Sequence, residues 1–238
     1  MRCLGDYVLG EFLERPNRFL ARVREIPSQT EHYAHVPDPG RLRELLVPSV
    51  EVLLARSDNQ RRKTKFSLVG VKAGSIWVNI DSQLSNQLFK EDYAKIERYR
   101  DFKLLKSEFT FQKSRFDFLM EDHSNSSAPK KTLIEVKSAT LVKDHTAMFP
   151  DAPTARGARH VKELTEALSV GYNAEIVFIT KRNDAINFTP YREMDPNFYE
   201  ALVIAKKTGV KLCAVVCNYD PIESQELTII KEIPIFGV

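Results

Sequence analysis

Apolar and polar residues alternate in short runs through the first eighty positions. YVLGEFLE, RFLARVRE, EHYAHV, VEVLLARS, KFSLVGVKA and SIWVNID are each bounded by turn residues, so each predicts a short strand. Only VPDPGRLRELL breaks the pattern. There Pro37 and Pro39 exclude a strand, Gly40 turns the chain, and Arg41 to Leu46 has helical spacing. Several short strands around one small helix predict a compact, OB-like β-barrel.

From Asp81 the period changes. Asp81 or Ser82 can cap a helix over roughly 83–97, with Leu84, Leu88, Tyr93 and Ile96 on its apolar side. KSEFTFQ and SRFDFLME then predict two strands, and the polar EDHSNSSAPKK a hairpin loop at 122–131. TLIEVKSATLV is a third, β-branched strand. A helix over 155–170, a strand at AEIVFIT, a helix at PNFYEALVIAKKTG and a last strand at VKLCAVVCNY complete the order. The series α-β-β-β-α-β-α-β predicts an α/β domain (α+β mixed) with a mixed central sheet. The expected division is 1–82 for the barrel and 83–238 for the second domain.

Composition adds little until it is divided. The chain of 238 residues carries 35 basic and 32 acidic side chains, net +3, and 43% hydrophobic residues, which excludes a disordered tail or coiled coil. Residues 1–80 hold 13 basic and 9 acidic side chains, against 22 and 23 in the remainder. That asymmetry points a polyanion at the barrel, although an excess of four also suits an ordinary soluble domain. Cys3, Cys213 and Cys217 form no pairing framework, and the last two read as buried thiols on one strand face. No run approaches the roughly 18 apolar residues of a membrane span, and the N-terminus has no signal-peptide core, so a cytoplasmic protein is expected.

The basic residues of the barrel have an order. Arg18, Arg22 and Arg24 alternate with Phe19, Ala21 and Val23, placing three arginines on one strand face. Arg41 and Arg43 follow the Pro-Gly turn, and Arg61-Arg62-Lys63 adds a charge run. Arginine suits bidentate phosphate contact, so this face reads as a nucleic-acid surface; a plain solvated barrel face is the alternative. In FPDAPTARGARH, Thr154 caps a helix and Gly157 lets a phosphate approach its first turn. Arg156, Arg159 and His160 on adjoining positions read as strand-positioning contacts, or else as a solvated basic helix end. Trp77 reads as core, and His32 and His35 as core or surface histidines.

The chemistry concentrates elsewhere. An acid-x-Lys pattern occurs at Asp101-Phe102-Lys103 and at Glu135-Val136-Lys137. The first is in a polar stretch. The second is inside an apolar strand, where Glu and Lys are costly unless paired or functional. Glu135 and Lys137 share a strand face with Leu133, their Cα atoms about 6.5 Å apart, while Ile134, Val136 and Ser138 face the other way. Asp117, among Phe116, Phe118 and Leu119, is a third polar intruder, and a hairpin from 114 to 140 can set it beside Glu135. Two such carboxylates repel unless a cation joins them, and oxygen ligands with open water positions suit Mg²⁺ or Mn²⁺. Lys137 can orient the attacking water or offset developing charge. A buried ion-pair network, Glu135 with Lys137 or Arg115 and Asp117 closing the hairpin, accounts for the same residues.

Asp117 followed by Glu135-Val136-Lys137 on the next strand, after an acid-bearing helix, resembles the core of the PD-(D/E)XK nucleases. More specifically, the chain resembles the sugar fermentation stimulation protein family (SfsA). The matching segments are RFLARV, VPDPGRLREL, WVNIDSQLSNQL, SRFDFLM, IEVKSATLV, FPDAPTARGARHVKEL, NDAINFTP, DPNFYEAL and AKKTGV, in order and across nearly the whole chain. The resemblance implies an N-terminal OB-like domain, a nuclease-like C-terminal domain, DNA binding and a regulatory role in sugar (maltose) metabolism. Asp117, Glu135 and Lys137 match the nuclease triad, with Asp117 and Glu135 holding Mg²⁺ or Mn²⁺. Glu91 is chosen as the helix acid, with Asp92 and Glu97 as alternates.

Taken together, these readings make Arg18, Arg22, Arg41, Arg43, Lys63, Arg115, Arg156, Arg159 and His160 the candidate contacts to single- or double-stranded DNA. Nuclease-like folds of this kind often cut duplexes as dimers, so a homodimer is an expectation. The leading function is a metal-dependent phosphodiesterase. Its rival is a non-catalytic DNA-binding transcriptional regulator on the same scaffold, and a third reading acts through protein partners alone.

Overall fold

The computed structural model describes residues 1, 6–57, 61–125 and 128–238. All six runs of the first eighty residues form strands: β1 (Tyr7–Asn17), β2 (Leu20–Glu25), β3 (Glu31–His35), β4 (Glu51–Arg56), β5 (Phe66–Ala73) and β6 (Ile76–Asn79). They hydrogen-bond in the order β3-β2-β1-β4-β5-β6. A parallel contact of β3 with β5, pairing Ala34 with Phe66, closes five of them into a barrel. Closure removes the open edges and turns one side of each alternating strand inward. Phe12, Ala21, Val23, Val52, Leu54 and Leu68 form the fully buried interior.

The expected helix over Arg41–Leu46 does not form. Leu42 adopts φ +50°, and its carbonyl accepts the N–H groups of Leu45 at 3.1 Å and Leu46 at 2.8 Å. Six residues between two prolines are too few to repay helix nucleation. The helical spacing has a different cause: Leu42, Leu45 and Leu46 all pack into the barrel core.

The second domain begins with α1 (Leu84–Asp92), shorter than the sequence predicts and followed by 3₁₀ turns at Tyr93–Lys95 and Glu97–Tyr99. Ile96 between them is extended, which drives Ile96 and Tyr99 into the core. Neither expected cap acts as one. Asp81 Oδ1 accepts from the Gln83 N–H at 3.0 Å, one residue before the helix, and the Ser82 hydroxyl donates to the Pro37 carbonyl at 2.8 Å, tying the helix start to the barrel.

Six strands form the central mixed sheet. β7 (Phe102–Phe111), β8 (Ser114–Asp122) and β9 (Lys130–Ala139) run antiparallel. β12 (Asn173–Thr180) and β14 (Lys211–Asp220) continue from β9 in parallel, and β15 (Glu226–Glu232) closes the edge antiparallel to β14. The order is β15-β14-β12-β9-β8-β7. A small separate sheet joins β10 (Leu141–Lys143), β11 (Thr146–Phe149) and β13 (Asn187–Pro190). The expected strand TLIEVKSATLV is split between β9 and β10, and β11, β13 and β15 are not among the expected strands. Of the 122–131 loop, Ser126 and Ser127 lie outside the described residues, as does Cys3.

The sheet has two covered faces. Helices α2 (Ala155–Ser169) and α3 (Pro196–Thr208) bury Leu133, Ile176 and Phe178 on one. On the other, α1 and the barrel cover Ile134, Val136 and Val177, with Trp77, Leu53 and Val69 as the barrel's contribution. Trp77 is therefore core, but at the seam between the domains. Cys213 and Cys217 lie buried in that same face, and burial pushes the Cys213 thiol up to about 12, so it stays protonated. Among the described residues, no helix is long and apolar enough to cross a membrane.

Candidate functional site

The β8–β9 ladder pairs Phe118 with Ile134 and Leu119 with Leu133, so the next pair in register is Asp117 and Glu135. The backbone ladder stops there. Instead, the Val136 N–H donates to Asp117 Oδ2 at 2.7 Å, and the Asn86 amide of α1 donates to Oδ1 at 2.6 Å. A side chain thus replaces a strand carbonyl where the two strands part. Burial, reinforced by the Glu135 charge, pushes the Asp117 carboxyl up to about 6.

Glu135 is 4% exposed and is held by two donors on a single oxygen. Lys137 Nζ and His160 Nδ1, the latter at 2.6 Å, both meet Oε1. Burial alone would raise this carboxyl; Lys137 and His160 outweigh it and hold Glu135 below the usual carboxylate range. Its other oxygen, Oε2, is buried with no hydrogen-bond partner. A desolvated carboxylate oxygen beside a second carboxyl fits a hard divalent cation. Among the described residues no three His, Cys, Asp or Glu side chains converge to hold a metal unaided, so an ion held by Asp117 and Glu135 would need water or phosphate oxygens to complete its shell.

The helix acids are not at this centre. Glu91 is exposed and accepts from Gln87 Nε2 at 2.9 Å. Asp92 is buried, where it accepts from the Ile229 N–H at 3.2 Å and pairs with Lys95 at 3.0 Å, fastening α1 to β15. Glu97 pairs with Arg100. The residue that α1 presents to Asp117 is Asn86.

His160 is likewise not part of an exposed basic end. It is 2% exposed beneath α2, against Glu135, with Arg156 Nε donating to its Nε2 at 3.3 Å. Thr154 caps α2 as the sequence predicts, accepting from the Gly157 N–H at 3.0 Å. Gly157 serves packing rather than phosphate approach. A Cβ there would meet Thr154 at 2.8 Å and Phe198 at 3.3 Å, so α3 covers this position. Arg156 and Arg159 are exposed, and Arg159 lies 3.9 Å from Glu163.

A cleft of about 660 Å³ lies between barrel and sheet domain. Arg18, Arg41 and Arg43 line it from the barrel, and Ser138, Asp151 and Thr154 from the other side. Ser138 follows Lys137 in β9 and lines the cleft, whereas Asp117, Glu135 and Lys137 are not among its lining residues. Its floor is wired by Arg15, whose guanidinium donates to the carbonyls of Gly40 (2.8 Å), Arg41 (2.6 Å), Arg18 (2.5 Å) and Asp38 (3.0 Å). Burial pushes the neighbouring Asp38 carboxyl up to about 6, with Lys181 opposing the shift.

The remaining arginines of the barrel differ from expectation. Arg18 is in the β1–β2 turn, not on the strand face. Arg22 is paired with Glu14 and Glu31, both at 2.9 Å, and Arg24 with Glu11 and Glu31 at 3.2 and 3.3 Å. Cross-strand carboxylates from β1 and β3 neutralise that face, so it is an ion-pair ladder. Lys63 is exposed beside Tyr33 in a separate hollow. Arg115 is exposed and 3.4 Å from Glu108, away from Glu135.

The family models divide the chain as the fold does. The model described as "SfsA N-terminal OB domain" matches residues 13–80, and "Sugar fermentation stimulation protein RE domain" matches 82–223. The chain belongs to the sugar fermentation stimulation protein family. A sugar fermentation stimulation protein homolog of Desulfitobacterium hafniense (strain DSM 10664 / DCB-2) is 42% identical over 224 residues, 93% of this chain and 95% of that one. The homolog of Acetivibrio thermocellus is 42% identical over 238 residues, covering 99% of each. Among solved structures, Pyrococcus furiosus SfsA in complex with Ca²⁺ covers 100% of both chains at 29% identity, with a TM-score of 0.86. In this SfsA-family chain, the OB barrel and the mixed-sheet second domain stand as the sequence predicts.

Four residues of the site escape the sequence reading: Asn86, Arg15, Asp151, and His160 as a partner of Glu135. Asn86 and Asp151 lie inside segments that carry the SfsA resemblance, which was the one signal available. Their partners are 31 and 110 positions away.

Proposed function

We propose that this SfsA-family protein binds DNA along the cleft between its domains and hydrolyses phosphodiester bonds at a divalent cation held by Asp117 and Glu135. One observation carries the reading: Glu135 Oε2 is buried without a partner, next to a carboxyl that Glu135 itself helps to raise. A buried orphan acceptor costs about 1–3 kcal/mol or more, and a cation offsets that cost. Such an ion polarises a phosphoryl oxygen and lowers the pKa of a bound water.

The chain's own groups do the rest. Arg18, Arg41 and Arg43 grip phosphates at the cleft and set the strand's register. Asn86 and the Val136 N–H hold Asp117 in place. Lys137, on the face of Glu135, neutralises charge as it develops on the phosphate. The Ca²⁺ in the Pyrococcus furiosus relative supports a hard, oxygen-seeking ion, and Mg²⁺ or Mn²⁺ is the working choice here. A regulatory part in sugar metabolism is supported by the family's name; its narrowing to maltose rests on the sequence resemblance alone.

A second reading, DNA binding without turnover, is favoured by one feature: the Lys137 ammonium is already engaged by Glu135. Incubating single- and double-stranded DNA with Mn²⁺ separates the two. Slow nicking, abolished by chelation and lost in Lys137→Ala, supports hydrolysis. Salt-dependent binding with no product in any metal supports the regulator. Equal nicking by wild type and Lys137→Ala removes Lys137 from the chemistry.

A further inference from the structure

We propose that His160 is a positioning residue for Glu135, dictating which carboxylate oxygen faces the cation; the inference rests on the metal centre proposed above. His160 comes from α2, 25 positions along the chain, and puts Nδ1 at 2.6 Å from Glu135 Oε1. Lys137 donates to that same oxygen. Oε1 therefore has two donors and Oε2 has none, although both belong to one buried carboxylate. With Oε1 saturated, only Oε2 offers free lone pairs to an ion.

The tautomer follows from the second ring nitrogen. Arg156 Nε lies 3.3 Å from His160 Nε2, and a guanidinium can only donate. Nε2 is thus the acceptor, and the ring proton sits on Nδ1, aimed at Glu135. The ring cannot turn away. It is 2% exposed, Phe116 stacks edge-on at 5.8 Å and 76°, and α2 is anchored by its Thr154 cap and by Gly157 under Phe198. A histidine that merely filled the core would need no such matched pair of partners. Partners that orient a ligand in this way change metal affinity about 10–100-fold when lost.

The test is calorimetric titration of the full chain with Mn²⁺ alone, comparing wild type, His160→Leu and His160→Asn. Asparagine keeps an N–H close to the Nδ1 position; leucine keeps bulk without the donor. The expectation is Mn²⁺ binding weakened at least about tenfold in His160→Leu and restored to within about threefold in His160→Asn. Wild-type affinity in His160→Leu overturns the positioning role while leaving the metal centre intact. No Mn²⁺ binding by wild type overturns both. Should the leucine variant fail to fold, long-range ¹H–¹⁵N spectra of wild type decide: protonated Nδ1 with bare Nε2 supports the assignment, and the opposite tautomer refutes it.

Discussion

The Asp151 carboxylate accepts the backbone N–H of Arg41 at 2.7 Å, joining residues 110 positions apart across the two domains. It also takes the Leu42 N–H at 3.2 Å. One side chain therefore fixes the barrel turn that carries two cleft arginines. Gly40 makes the approach possible, since a Cβ there would come within 2.4 Å of Asp151 Oδ2. Asp151→Ala strands two N–H groups and is expected to cost about 2 kcal/mol, a drop of roughly 4–8 °C in melting midpoint. Gly40→Ala should cost as much alone but much less in the Asp151→Ala background. Additive losses in calorimetry would refute the shared contact.

The cleft and the strand face make opposite predictions about arginine. Arg41 and Arg43 line the cleft, whereas Arg22 is held between Glu14 and Glu31. Replacing Arg41 and Arg43 together by alanine should weaken DNA binding for every sequence and lower the log–log salt slope by about 2. Arg22→Ala should leave that slope unchanged. A loss of slope on removing Arg22 would return the contact surface to the barrel face.

Gly157 tests how α2 is seated. Its missing side chain lets Thr154 and Phe198 close over the first turn of the helix. Gly157→Ala raises helix propensity, yet it is expected to destabilise by about 1–3 kcal/mol because the new methyl overpacks a closed site. Denaturant midpoints decide between the effects. A stabilised variant would mean the turn has room for a phosphate after all.

The pH dependence of one turn can be stated with its sign. Asp220 accepts from the Ser224 N–H at 2.9 Å, from Glu223 at 3.0 Å and from Ile222 at 3.2 Å, and these donors draw its carboxyl down to about 2. A depressed carboxylate binds fewer protons folded than unfolded, so its contribution is complete above about 4 and disappears as the pH falls through 2. Asp220→Ala should therefore be less stable than wild type at pH 7 and equal to it near pH 2. A gap that persists at pH 2 would assign the effect to backbone freedom rather than charge.

Strand alternation was legible because it is a local property. It placed six strands in the first eighty residues, set Glu135 and Lys137 on one face with Leu133, and brought Asp117 opposite Glu135 once a hairpin was assumed. The Thr154 cap was equally local. What the sequence left open depends on how elements pair, rotate and dock. The turn of α1 on the sheet chose Asn86 over Glu91, and the seating of α2 turned His160 inward. Pairing of β2 with β1 and β3 brought Glu14 and Glu31 to Arg22, and domain docking brought Asp151 to Arg41. Period and polarity say which residues share a face; only the packed arrangement of elements decides what that face meets.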